Sequence, residues 1–98
     1  MKQMNLGSIT GTGVAIAVNV GFKPETVILI NVSDTGMMIW TKQQTDAYSY
    51  RTKGSDGIET YETSGGITPT DLGFTLGTDS EMNGSGDTIH WVAFRGIN

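Results

Sequence analysis

The sequence contains no cysteine, only two prolines, and just six Lys or Arg and one His among 98 residues. Without cysteine, disulfides cannot staple the fold and a thiolate zinc site is excluded. Two prolines beside 14 glycines fit neither collagen nor a proline-rich linker. The dispersed basic residues are outnumbered by 10 Asp or Glu, giving a net charge of -4, which argues against binding a nucleic-acid phosphate backbone. No run of about 18 apolar residues occurs, so no segment reads as a membrane span. The opening Met1-Lys2-Gln3-Met4-Asn5 lacks the apolar stretch of a signal peptide.

What is abundant is glycine, at about twice its usual ~7% share, and threonine, also 14 residues. Few charges with many Gly and Thr predict short strands joined by turns. Val14, Ile16, Val18 and Val20 occupy alternate positions, the period of a strand with one buried face. Thr26 to Val32 contains the unbroken run Val27-Ile28-Leu29-Ile30, which predicts a strand covered on both faces. The turn Ser33-Asp34-Thr35-Gly36 then leads into Met37-Met38-Ile39-Trp40, which is expected to pair back as a hairpin, with the two methionines on opposite faces. Ala47 to Arg51 alternates, placing Tyr48 and Tyr50 together on a partly exposed strand. Lys53 to Ser64 reads as a loop or as a weak strand around Ile58 to Tyr61. Gly73-Phe74-Thr75-Leu76-Gly77 is a short strand, and Thr78 to Asp87 a loop with the turn signal Asn83-Gly84. Thr88 to Arg95 is the clearest strand. No segment shows a capped helical stripe. The expected fold is all-β: a single-domain antiparallel β-sandwich, jelly-roll-like, of about seven or eight short strands, over residues 11–98 behind an N-terminal arm of residues 1–10.

The last strand is apolar on both sides: Ile89, Trp91 and Ala93 point one way, His90, Val92 and Phe94 the other. A small sandwich buries one face of each sheet. At roughly 25 cal/mol per Å² of apolar surface, leaving several large side chains wet forfeits several kcal/mol. A homo-oligomer interface recovers that loss. The alternative is that a loop such as Lys53–Ser64 folds over the outer face.

Residues that could carry chemistry are few. His90 lies mid-strand without the nucleophile and orienting carboxylate that catalysis requires beside it. Gly11-Thr12-Gly13 lacks the third glycine and the following helix of a dinucleotide site. Asp79, Glu81, Asn83 and Gly84 stand at positions one, three, five and six of a calcium loop, but His90 occupies the twelfth, where a bidentate glutamate is required. An irregular cation site there stands against a polar loop whose Asx side chains bond their own backbone. Asp71, Asp79, Glu81 and Asp87 could supply acid and base carboxylates, as in a small glycan hydrolase, though no cleft is legible. Trp40, Tyr48, Tyr50 and Tyr61 could form a sugar-stacking platform, or Trp40 could belong to the core with the tyrosines half-exposed. No cofactor is implied.

Three stretches carry a resemblance: Gly21-Phe22-Lys23-Pro24-Glu25-Thr26-Val27-Ile28, Leu72-Gly73-Phe74-Thr75-Leu76-Gly77, and Asn83 through Phe94 with its Trp91-Val92-Ala93-Phe94 ending. In this order they resemble a small β module of tailed-bacteriophage virion proteins, found in tail-fibre and head-fibre chains and in capsid decoration (cement) proteins. The likeness spans residues 11–95. It implies a non-enzymatic structural protein of the virion. The module fills almost the whole chain and no coiled-coil heptads precede it, which suits a decoration protein on the capsid surface, often trimeric, that bridges neighbouring major capsid subunits against the pressure of packaged DNA. Under that implication the arm, with Met1, Lys2, Gln3, Met4 and Asn5, adds as a strand to the capsid protein, or else frays. Trp40, Tyr48 and Tyr50 are the other expected partner contacts. The alternative is a fibre module that recognises host-surface glycan through the tyrosines.

Overall fold

The computed structural model describes residues 3–96. Among them are nine strands: β1 (Gln3–Thr10), β2 (Ile16–Asn19), β3 (Thr26–Asn31), β4 (Gly36–Thr41), β5 (Ser49–Thr52), β6 (Glu59–Glu62), β7 (Ile67–Thr70), β8 (Gly73–Leu76) and β9 (Thr88–Arg95). Six form one sheet in the order β1-β9-β3-β4-β5-β6, and three a smaller sheet in the order β2-β8-β7. Every pairing is antiparallel. This is the all-β sandwich that the alternating patterns predict.

The core lies between the sheets. From the large sheet come Val27, Leu29, Met38, Trp40, Ile89, Trp91 and Ala93, and from the small one Val18, Ile67, Phe74 and Leu76, all buried. Phe74 and Trp91 meet edge to face across the two layers, with ring centroids 6.0 Å apart. Trp91 needs room on its other side, and Gly7 of β1 supplies it: a Cβ there would stand 2.8 Å from the Trp91 ring. Gly73 plays the same part between β2 and β8, where a Cβ would overlap the Val18 carbonyl.

The sequence reading and the structure differ at four points. The segment read as an N-terminal arm is, from Gln3 to Thr10, the edge strand β1, paired with β9 over all eight residues. Met1 and Lys2 lie outside the described residues. Its strand period is hard to read because Gly7 and Asn5 occupy two of its inward positions. Ile67 to Thr70 forms β7 despite Pro69, because β7 is an edge strand on which a missing N–H is tolerated. The run Val27–Ile30 is covered on one face only: Val27 and Leu29 are fully buried, whereas Ile30 is 45% exposed. Lys53–Ser64 does not fold over it, because Glu59–Glu62 pairs with β5 and extends the sheet sideways.

The loop before β9 closes the sandwich. Asp79 is buried and ion-paired with Arg51, Nη1 to Oδ2 at 2.7 Å. Its other oxygen accepts the backbone N–H of Glu81 and of Met82 at 2.9 and 3.2 Å. Arg51 also lies 3.5 Å from the Glu62 carboxylate. Removing the guanidinium therefore strands a buried carboxylate, a change worth about 3–5 kcal/mol. Arg51→Met is expected to lower stability by about 3 kcal/mol, read as an earlier urea midpoint with an unchanged slope.

Candidate assembly surface

The two sheets present different faces to water. Outward positions of the small sheet are Ala17, Asn19, Thr68, Thr70, Gly73 and Thr75, a face of small and polar groups suited to solvent. The large sheet does the opposite. The strand register places Leu6 opposite Val92, Val92 opposite Ile28, Ile28 opposite Ile39, Ile39 opposite Tyr50, and Tyr50 opposite Tyr61. One apolar or aromatic side chain per strand thus forms an unbroken row across all six strands. Met4 and Phe94 flank the row on one side, Ile30 and Met37 on the other. None of these is an inner-face residue, and Leu6, Met4 and Tyr61 are each more than half exposed.

Strands about 4.8 Å apart and residues about 3.3 Å apart give this face a projected area on the order of 500 Å². That is near the upper end of the largest apolar patch on an ordinary monomer, the range in which patches mark interaction sites. At the β1-β9-β3 end the face dips into a hollow of about 450 Å³ lined by Leu6, Ser8, Ile28, Ile30, His90 and Val92. At the other end stand the tyrosines. Tyr48 packs edge-on against Tyr61 with centroids 5.7 Å apart. Tyr50 is 40% exposed and donates its hydroxyl to the Glu59 carboxylate. That hydrogen bond, with some desolvation, raises the Tyr50 pKa above its ordinary 10.0. A raised phenol pKa stabilises the fold below the unfolded-state value, and the contribution fades as pH climbs through the folded one. Glu59→Ala is expected to lower the Tyr50 pKa toward its ordinary value, followed by ring NMR shifts, with the smaller part due to desolvation remaining.

The expected partner-contact residues are therefore divided. Tyr48 and Tyr50 belong to the apolar face, as does Met4 of β1. Gln3 and Asn5 point inward, and the Asn5 amide donates to the Val20 carbonyl at 3.2 Å. Trp40 is not a contact residue: it is 1% exposed on the core side of β4, with its indole N–H donated to the Thr45 carbonyl at 3.2 Å. An aromatic at that position reads the same from sequence whether it faces in or out. The residues that sequence reasoning passed over are Leu6, Ile28 and Ile39, which become visible as a row only once the register is known.

The loop that mimics a calcium site is held by internal bonds. Asp79 is committed to Arg51 and to its own loop's backbone. Asp87 accepts the Asn31 amide at 2.9 Å. The Asn83 side chain is buried and bonded to the Thr12–Val14 segment and to the Gly77 carbonyl. Among the described residues no group of three or more His, Asp or Glu could together hold a metal ion. Glu81 faces Lys53 at 3.8 Å, and Asp71 is exposed. Comparison with family models, with curated proteins and with solved structures returns no match for this chain.

Proposed function

We propose that this chain is a non-enzymatic structural subunit that works by assembly through the outer face of its large sheet, and specifically a decoration protein of a tailed-phage capsid. The observation that carries the assembly reading is the six-strand apolar row, left uncovered while the small sheet's outer face is polar. The virion reading is supported by the three stretches that resemble phage β modules. Of these, Phe22, Phe74, Trp91 and Ala93 serve the core, while Ile28, Val92 and Phe94 stand on the apolar outer face. Mechanically, such a subunit adds contact area between neighbouring shell proteins. The test is electron microscopy of intact particles of the phage that encodes the chain, labelled with an antibody against it. Label over the heads is the expected result. Particles that carry no label overturn the virion reading.

A second reading is favoured by the tyrosine end of the face. Tyr48, Tyr50 and Tyr61 offer aromatic surfaces beside the Glu59 carboxylate, groups that suit stacking on and hydrogen bonding to a sugar. In that case the chain is a fibre module for host-surface glycan, label appears on tails or head fibres, and Tyr50→Ala weakens the best hit of a glycan array about tenfold. An array without hits removes this reading.

A further inference from the structure

The apolar face carries a hollow at its β1-β9-β3 end and exposed tyrosines at its β5-β6 end, and from this we infer that it is a two-fold contact between copies of this chain, each copy's tyrosines seated in the other's hollow. This rests on the face being an assembly surface and names its occupant.

Consider a two-fold axis lying in the face, parallel to the strands and running between β3 and β4. It exchanges β1 with β6, β9 with β5, and β3 with β4. Row positions then meet as Leu6 on Tyr61, Val92 on Tyr50, and Ile28 on Ile39. Tyr50 and Tyr61 therefore come down on the hollow lined by Leu6, Ile28, Ile30, His90 and Val92, and this happens twice.

Charge points to the same operation. Tyrosines aside, the outward strand positions of the large sheet hold two ionisable side chains, His90 and Glu59. They share one row, Ser8-His90-Ile30-Met37-Thr52-Glu59, at opposite ends of the sheet. Rotation about the strand-parallel axis sets Glu59 over Ser8 and one strand from His90 of the other copy. Rotation about an axis across the strands keeps them apart, with His90 over the strand end that bears Phe94. Glu59 is therefore the one carboxylate among the outward positions of the six strands, and in this arrangement it does not face its own symmetry mate.

Size agrees as well. Two such faces together withdraw at least about 1,000 Å² from water, the threshold for a specific interface. Sheets that stack face to face lie about 10 Å apart, which leaves room for one layer of side chains from each copy.

The absence of cysteine makes the test clean. Ser8→Cys and Thr52→Cys are conservative, exposed or half-exposed changes that leave the tyrosines and Glu59 in place. In the inferred register Ser8 of one copy lies one strand spacing, about 4.8 Å, sideways from Thr52 of the other. Each position lies far from its own symmetry mate. Sedimentation of the unmodified chain is expected to give a dimer. A bis-maleimide spanning about 8 Å, matched to the stacking distance of two sheets, is expected to join the two variants when mixed and neither variant to itself. A dimer without the mixed cross-link overturns the arrangement. A monomer at high micromolar concentration overturns self-association, while particle labelling still decides separately whether the chain belongs to a shell.

Discussion

Asn83→Ala is expected to destabilise the fold by about 3–4 kcal/mol, and to lower the melting temperature by roughly 15–25 °C in calorimetry. The side chain is 1% exposed and makes four bonds. Its Oδ1 accepts the N–H of Thr12 at 2.9 Å and of Gly13 at 3.3 Å, while its Nδ2 donates to the carbonyls of Val14 at 2.7 Å and Gly77 at 2.8 Å. One amide thereby ties the loop before β9 to the β1–β2 connection and to the end of β8, joining segments 69 to 71 residues away to its own loop. Truncation leaves these backbone groups short of partners in a buried place, at about 1–3 kcal/mol each before any water enters. For a domain whose whole stability is about 5–15 kcal/mol, that is a large fraction. Asn83→Asp sharpens the point. It keeps the shape and both accepting contacts, but sets an oxygen against the Val14 and Gly77 carbonyls. It is expected to destabilise as much as alanine does. An aspartate variant with wild-type melting would show that the donor half of the amide is dispensable.

Asn83 also shows where the sequence was legible and where it was not. Its neighbour Gly84 made it a turn signal, which was right about the chain direction and silent about the buried side chain, because hydrogen bonds across 70 residues leave no local pattern. Strands whose inward positions are mostly large and apolar are readable. β9, with Ile89, Trp91 and Ala93 inward, is the clearest, and the β3–β4 hairpin follows from Val27, Leu29, Met38 and Trp40. β1 was missed because its inward row includes Gly7, whose place is filled by the Trp91 ring from the neighbouring strand. β7 carries little strand signal, because Pro69 lacks the N–H of a ladder position, though an edge strand can hold it. The surplus of apolar groups on the second side of β3 and β9 was plain from alternation alone. That they line up with Ile39, Tyr50, Tyr61 and Leu6 depends on register, which tertiary pairing sets.

Ile39→Lys is expected to abolish assembly while leaving the isolated chain folded. Ile39 sits in the middle of the row, between Ile28 and Tyr50, and is half-buried in the single chain. In water a lysine there keeps its stem on the sheet and lifts its ammonium clear of it, so melting of the isolated chain falls only a few degrees. Once any flat partner covers the face, that ammonium has no carboxylate nearby, because Glu59 lies two strands away. Burying an unpaired charge costs several kcal/mol, and each 1.4 kcal/mol is tenfold in affinity, so association weakens by about 10³-fold or more. Thr75→Lys is the matched control: the same charge, added to the outward position of β8 on the polar face of the small sheet, is expected to change neither melting nor assembly. The comparison separates a surface effect from a specific one, because both variants move the net charge equally. If Ile39→Lys assembles as the unmodified chain does, the row is not what the chain uses, and the apolar face must be explained without a partner.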